Sequence, residues 1–269
     1  MGVGTMKRYL PAFILLTFIS LNLRADEDYA AALQEWRTGA DQGNQFAQYD
    51  LGLAYADGWG VPRDFAQAAV FYAKAAEQGN VNAQYNLGTL YSNGQGGKKD
   101  PDEAAKWFRK AAEQGDMNAA HSLADLLYDQ KNYAEALTWF QKAAQAGIAD
   151  AEFGLGLMYD LGQGVPQNYT EALNWYQKAA EQGSGAAVCN IGVLYYNGEG
   201  VKVNRLMAHR YFIIAIYMGE PRAKDLIEFT TPKLTRKQIA QAVTDADDWM
   251  REHPAKTEPA PVPMPVPAM

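Results

Sequence analysis

Three kinds of side chain are scarce, and each scarcity removes a class of function. The chain of 269 residues has one cysteine, Cys189, so no intramolecular disulfide framework holds it together. Three histidines beside that single thiol leave little for a transition-metal site. Basic residues are outnumbered, 24 Lys and Arg against 31 Asp and Glu. The net charge of −7 and pI of about 5.1 argue against a nucleic-acid partner, which would need a basic face. Apolar residues are plentiful: at 48% they suffice for a packed core and exclude a disordered chain.

The two ends differ from the middle. Lys7 and Arg8 precede an apolar run from Tyr9 to Leu23, broken by Pro11, Thr17, Ser20 and Asn22, and Ala25 stands before the acidic Asp26. That order of basic, apolar and small residues reads as a signal peptide over residues 1–25. The run is short for a bilayer span, and an uncleaved anchor is the alternative. The absence of a cysteine near the cleavage site argues against a lipoprotein. Removal of Lys7, Arg8 and Arg24 would take the charge from −7 to −10. The mature protein is then expected to be periplasmic or secreted, without membrane contact. A lone thiol suits that oxidising compartment only if it is buried. From His253 the chain reads HPAKTEPAPVPMPVPAM. Alternating proline forbids helix, so residues 253–269 are expected to form a polyproline or disordered tail.

The middle is self-similar. Glycines recur at Gly43, Gly79, Gly115, Gly147, Gly183 and Gly219, at intervals of 36, 36, 32, 36 and 36. A second marker keeps the beat at Gly52, Gly88, Ala124, Gly156 and Gly192, and an aromatic one at Phe71, Trp107, Trp139, Trp175 and Tyr211. A fixed period of this length signals stacked repeats. Within each, the apolar spacing of Leu51, Ala54 and Tyr55, and of Ala68, Phe71, Tyr72 and Ala75, is helical rather than alternating. Asp64, Asp100, Asn132, Asn168 and Asn204 stand where a second helix needs an N-cap, and Gly79 and its equivalents where it needs a left-handed end. Gly52 lies inside a helix, where glycine costs about 1 kcal/mol against alanine, so a neighbouring helix is expected to pack directly on its backbone. The Gly-x-Gly of GWGVP and GQGVP follows a helix, not a strand, and reads as a chain-reversing turn rather than a phosphate loop. The third repeat lacks it and joins its helices around Asp129 to Asn132.

The stretches AQYNLGTLYSNGQG (83–96) and EALNWYQKAAEQG (171–183) resemble the Sel-1-like repeat, a relative of the tetratricopeptide repeat with a longer inter-helix turn. The resemblance covers about residues 45–219. It implies an all-α fold, a right-handed α-solenoid of about five helix-turn-helix repeats with a C-terminal capping helix. The organisation is then a cap or half-repeat over 26–44, repeats at 45–80, 81–116, 117–148, 149–184 and 185–219, and capping helices over 220–252. The last unit departs from the pattern: Tyr211 to Ile216 is more apolar than its counterparts, so something covers it. A helix with Ile239, Val243, Ala246 and Met250 inward suits that role, since a repeat array needs a capped end.

By the same resemblance, first helices line a concave face and second helices a convex one. The first-helix segments, 45–57, 81–93, 117–129, 149–161 and 185–197, contain no Lys or Arg. They do contain Asp50, Asp57, Asp125, Asp129, Asp150, Glu152 and Asp160. The implied groove is neutral to acidic, with Tyr49, Asp50, Asn82, Tyr85, Asn86, Asn118, His121, Asp125, Phe153 and Asn190 as candidate contacts. Such aromatics, amides and carboxylates suit a basic, neutral or apolar peptide segment. Tyr49, Tyr85 and Phe153 have an alternative role in packing between repeats. Tyr55, Tyr91, Tyr159, Tyr195, Trp107, Trp139 and Trp175 are expected in the core, and Cys189 as a small buried hydrophobe.

The leading expectation is therefore a non-enzymatic binding scaffold, adaptor or regulator in the bacterial envelope, taking a protein or peptide partner. No nucleophile–base signature or metal spacing is present, and no cofactor is called for. The alternatives are cell-wall (peptidoglycan or β-lactam) binding or hydrolysis, and a structural subunit of an envelope complex. Cell-wall binding is disfavoured because the related secreted subgroup carries paired cysteines that this chain lacks.

Overall fold

The computed structural model describes residues 29–254; the expected signal peptide and the tail beyond Pro254 lie outside the described residues. Among the described residues every regular element is helical. Helix α1 covers residues 29–41. Five helix pairs follow: α2 (Gln45–Asp57) with α3 (Phe65–Glu77), α4 (Val81–Asn93) with α5 (Pro101–Glu113), α6 (Met117–Asp129) with α7 (Tyr133–Gln145), α8 (Ala149–Leu161) with α9 (Tyr169–Glu181), and α10 (Gly185–Asn197) with α11 (Arg205–Tyr217). Then come α12 (Arg222–Thr230), a 3-10 turn (Thr231–Lys233) and α13 (Arg236–Glu252). This is an all-α solenoid of repeated helix pairs. None of the described helices is long and apolar enough to cross a membrane.

The chain divides into two compact units, one running through Trp107 and the other starting at Phe108, within α5. In the first unit, α2 packs on α3 and α4, with Leu51, Ala54, Tyr72, Ala75 and Leu87 buried. In the second unit, α6 to α13 bury Leu123, Phe140, Leu155, Tyr176, Ile191, Phe212 and Ile214.

Local chemistry explains the helix ends. The Asp64 carboxylate accepts hydrogen bonds from the Ala66 and Gln67 amides at 2.9 and 3.0 Å, and Asp100, Asn168 and Asn204 cap their helices in the same way. Asn132 does not cap. Its carboxamide instead donates to Glu135 at 3.1 Å, leaving the first turn of α7 without its side-chain acceptor. Gly79, Gly115, Gly147 and Gly183 follow their helices at φ between 82° and 103°. In the shortened third repeat the left-handed residue is Lys131, at φ 62°.

The glycine inside the first helices has the packing role expected of it. A Cβ on Gly52 would collide with the Tyr72 ring, and one on Gly156 with the Tyr176 ring. The second helix thus lays an aromatic ring on the backbone of the first. That ring belongs to the residue after the aromatic sequence marker: Tyr72, Phe108, Phe140, Tyr176 and Phe212 are the deeply buried set. Trp107 and Trp139 are buried too, but Trp175 is only half-buried, a correction to its core assignment. The Lys178 ammonium sits over its open face, 3.8 Å from the ring centroid, and Lys142 does the same for Trp139 at 3.9 Å. Tyr55, Tyr91, Tyr159 and Tyr195 are half-buried against the core rather than within it. Cys189 is fully buried, and burial pushes its thiol up to about 11.

The second glycine of the inter-helix turn brings repeats together. Gly164 has φ 73°, and a Cβ there would lie 2.8 Å from the Tyr133 carbonyl oxygen. At the C-terminal end α12 and α13 pack on the apolar α11, covering Ile213 and Ile214. The buried face of α13 is Ala242 and Ala246, whereas Val243, expected inward, is exposed. The alanines join the core cluster of α10 and α11, where the larger valine does not enter.

Candidate functional site

The expected contact residues fall in both units. In the first unit, Tyr49 of α2 rests on Tyr72 of α3 with ring centroids 5.9 Å apart. The side chain of Asn86, from α4 of the following repeat, stands beside both tyrosine hydroxyls and counters the rise that burial imposes on them. This clasp ties one repeat to the next. Asp50 beside it is half-buried, and burial holds its carboxyl above the usual range. Tyr85 is half-buried and Asn82 exposed.

The second unit repeats the arrangement with variations. Phe153 of α8 rests on Tyr176 of α9 at 5.8 Å, and the side chain of Asn190 of α10 stands beside the Tyr176 hydroxyl. That hydroxyl donates to Asp160 at 2.9 Å. Burial, followed by the Asp160 charge, pushes the phenol far above its ordinary value. Asn190 itself is buried. One repeat earlier His121 of α6 rests on Phe140 of α7 at 6.1 Å. The residue that would clasp Phe140 from α8 is Gly154, equivalent to Asn86 and Asn190 in the repeat. Asn118 is exposed at the start of α6.

A cavity of about 460 Å³ opens at this unclasped junction, between α6 and α8. Phe140, Phe153, Gly154, Leu157 and Tyr128 wall it, and His121, Asp125, Asp129 and Asp150 supply its polar groups. His121 Nε2 lies 3.2 Å from Asp125. The Asp125 carboxyl is raised above its ordinary value, first by desolvation and then by the like charges of Asp129 and Asp150, against the lowering effect of His121. Among the described residues no group of three or more His, Cys, Asp or Glu is placed to hold a metal ion.

Three expected contacts, His121, Asp125 and Phe153, therefore share one cavity. Tyr49 and Asn86 meet in the first-unit clasp, and Asn190 belongs to the equivalent clasp on Tyr176. Sequence reasoning missed Tyr128, Phe140 and Gly154. A signal for the last two was present: across the repeats Tyr72 faces Asn86 and Tyr176 faces Asn190, but Phe140 faces Gly154.

The Sel1 repeat model matches residues 45–80, 81–116, 119–148, 149–184 and 185–220. The crystal structure of c5321, a protective antigen of uropathogenic Escherichia coli displaying an SLR fold, is 34% identical with a TM-score of 0.75. That match covers 81% of this chain and 48% of the other, so the chain spans about half the length of the E. coli protein. A Sel1 repeat protein from Oxalobacter formigenes is 32% identical with a TM-score of 0.71, over 87% of this chain and 99% of that one. No curated protein matches the chain.

Proposed function

The chain belongs to the Sel1-repeat family, and on that premise we propose that it is a non-enzymatic scaffold of the bacterial envelope. In this reading a segment of a partner protein lies along its first helices. Sel1 repeats generally mediate protein–protein interaction, and the scaffold is typically non-catalytic. The finer reading rests on one observation. The five first helices α2, α4, α6, α8 and α10 carry no Lys or Arg and present half-buried aromatics, and α2, α6 and α8 add carboxylates. Stacked repeats offer an extended surface of this kind to peptide and protein ligands. Export is supported by the basic, apolar and small-residue order of residues 7–25.

Immobilised protein is to be incubated with envelope proteins alongside a variant carrying Tyr85→Ala and His121→Ala. Both side chains are partly exposed. The expected result is a defined partner retained by the wild type and lost by the variant. Identical retention would refute the assignment of the first helices, and recovery of the native protein in the cytosol would refute export. Release of soluble fragments from purified peptidoglycan would favour cell-wall hydrolysis instead.

A further inference from the structure

We propose that the cavity between α6 and α8 receives the cationic side chain of a lysine or arginine on a bound protein segment. This rests on the reading that first helices hold such a segment, and it narrows the partner to a basic one.

The cavity stands at a junction that lacks two polar groups present at others. At the junctions headed by Tyr72 and Tyr176, an asparagine from the next repeat stands beside the phenol hydroxyl. At Phe140 neither the hydroxyl nor the carboxamide is present: Gly154 stands opposite, the Phe140 ring lies on its backbone where a Cβ would come within 2.6 Å, and the cavity opens beside them. Its volume of about 460 Å³ lies within the range of about 300–1,000 Å³ common to ligand pockets.

The polar rim is of one sign. Asp125 and Asp129 stand one helical turn apart on α6, Asp150 lies in the first turn of α8, and neither helix contains a Lys or Arg. Only His121 opposes them, beside Asp125. The fold therefore gathers carboxylates on two helices that hold no Lys or Arg, and desolvation, followed by the charges of Asp129 and Asp150, raises the Asp125 carboxyl. A neutral side chain entering here would strip water from these carboxylates without replacing it, and an acidic one would be repelled.

The walls suit a long cationic side chain. Its aliphatic stem packs on apolar surface while its charged head reaches the rim. Aromatic faces attract the charge itself. The chain already uses that pairing within itself, where Lys142 covers Trp139 at 3.9 Å and Lys178 covers Trp175 at 3.8 Å. The rings of Tyr128 and Phe153 line the cavity that an incoming side chain would enter.

The test titrates ¹⁵N-labelled protein with a capped peptide Gly-Ser-Arg-Ser-Gly, and with versions bearing neutral citrulline or norleucine in place of arginine. The arginine peptide is expected to shift amides of α6 and α8 around the cavity. The neutral peptides are expected to bind at least about tenfold more weakly. Asp125→Asn with Asp150→Asn should abolish the difference between peptides. Phe140→Tyr with Gly154→Asn, which installs the pair found at Tyr176 and forces the residue-140 ring off the backbone at position 154, should close the site while leaving every carboxylate in place. Circular dichroism checks its fold, and the Asp→Asn pair carries the test if it does not fold. Arginine binding that survives closure overturns the proposal. Equal binding of the citrulline or norleucine peptide overturns the charge assignment and leaves the first-helix reading standing. If no peptide shifts any first-helix amide, both fail.

Discussion

The junction over Tyr176 and the junction over Phe140 are built from the same repeat and end differently. At Tyr176 the phenol is buried and donates to Asp160, with Asn190 of the next repeat beside its hydroxyl, so polar groups meet at the surface. At Phe140 the ring is equally buried, but Gly154 offers no side chain and a cavity remains. The same repeat therefore carries paired polar groups at one junction and a carboxylate-rimmed cavity at another. Deleting only one would strand its partner in a poorly solvated place, which costs more than losing both.

The sharpest way to break this comparison is to unpair the closed junction. Tyr176→Phe leaves Asp160 and Asn190 without their hydroxyl and should lower stability by about 1–3 kcal/mol. Phe140→Tyr points a hydroxyl into an open cavity and should change stability by less than about 0.5 kcal/mol. Urea unfolding of both variants measures the contrast. Adding Asn190→Ser to Tyr176→Phe should recover part of the loss, giving a coupling of about 1 kcal/mol. Equal losses at the two junctions would mean that the hydroxyl plays no part in closing them.

The architecture was legible because its signals are local and repeated. Asp64 and Asn168 announce helix starts, and Gly52 and Gly156 announce a ring lying on the backbone, each from one position in register. The cavity was only half legible. His121, Asp125 and Phe153 stood out as surface chemistry, but Gly154 reads as one more helical glycine until it is set opposite Phe140. Its meaning lies in a pair separated by a helix connection, which periodicity does not report. The same limit misplaced Val243. A one-residue rotation of α13 exchanges it for Ala242, and close approach to neighbouring helices decides that, not hydrophobicity. Asn132 has the right residue type for a cap, yet its side chain turns to Glu135.

The open junction is also the one reached through the shortened turn, and that turn carries backbone strain. Lys131 occupies the left-handed region at φ 62°, where the equivalent turns place glycine. Lys131→Gly should therefore stabilise the protein by about 0.5–1 kcal/mol, the relief at a left-handed site less the added freedom of the unfolded chain. Thermal unfolding reads the gain. A loss would show that the Lys131 side chain makes a contribution larger than the strain.

The smallest effect is electrostatic and distinguishes the two junctions by pH. The Asp125 carboxyl is raised by desolvation and by Asp129 and Asp150, so the folded state holds that proton more tightly than the unfolded chain. Its favourable contribution is present below the unfolded value of 3.8 and is lost as pH rises through the raised folded value. Wild type should thus lose stability relative to Asp125→Asn as pH rises from the unfolded value of 3.8 through the raised folded one. The difference should be modest, because 55% of the side chain is exposed, and should shrink in high salt. Asp160 at the closed junction is raised as well, by desolvation and Glu199, but it also accepts the Tyr176 hydroxyl. Asp160→Asn perturbs that bond along with the charge, so its effect on stability should persist across the pH range and resist salt. Matching pH and salt profiles at the two positions would mean that both junctions hold their carboxylates in the same way, and that the open one has no unbalanced charge to offer a partner.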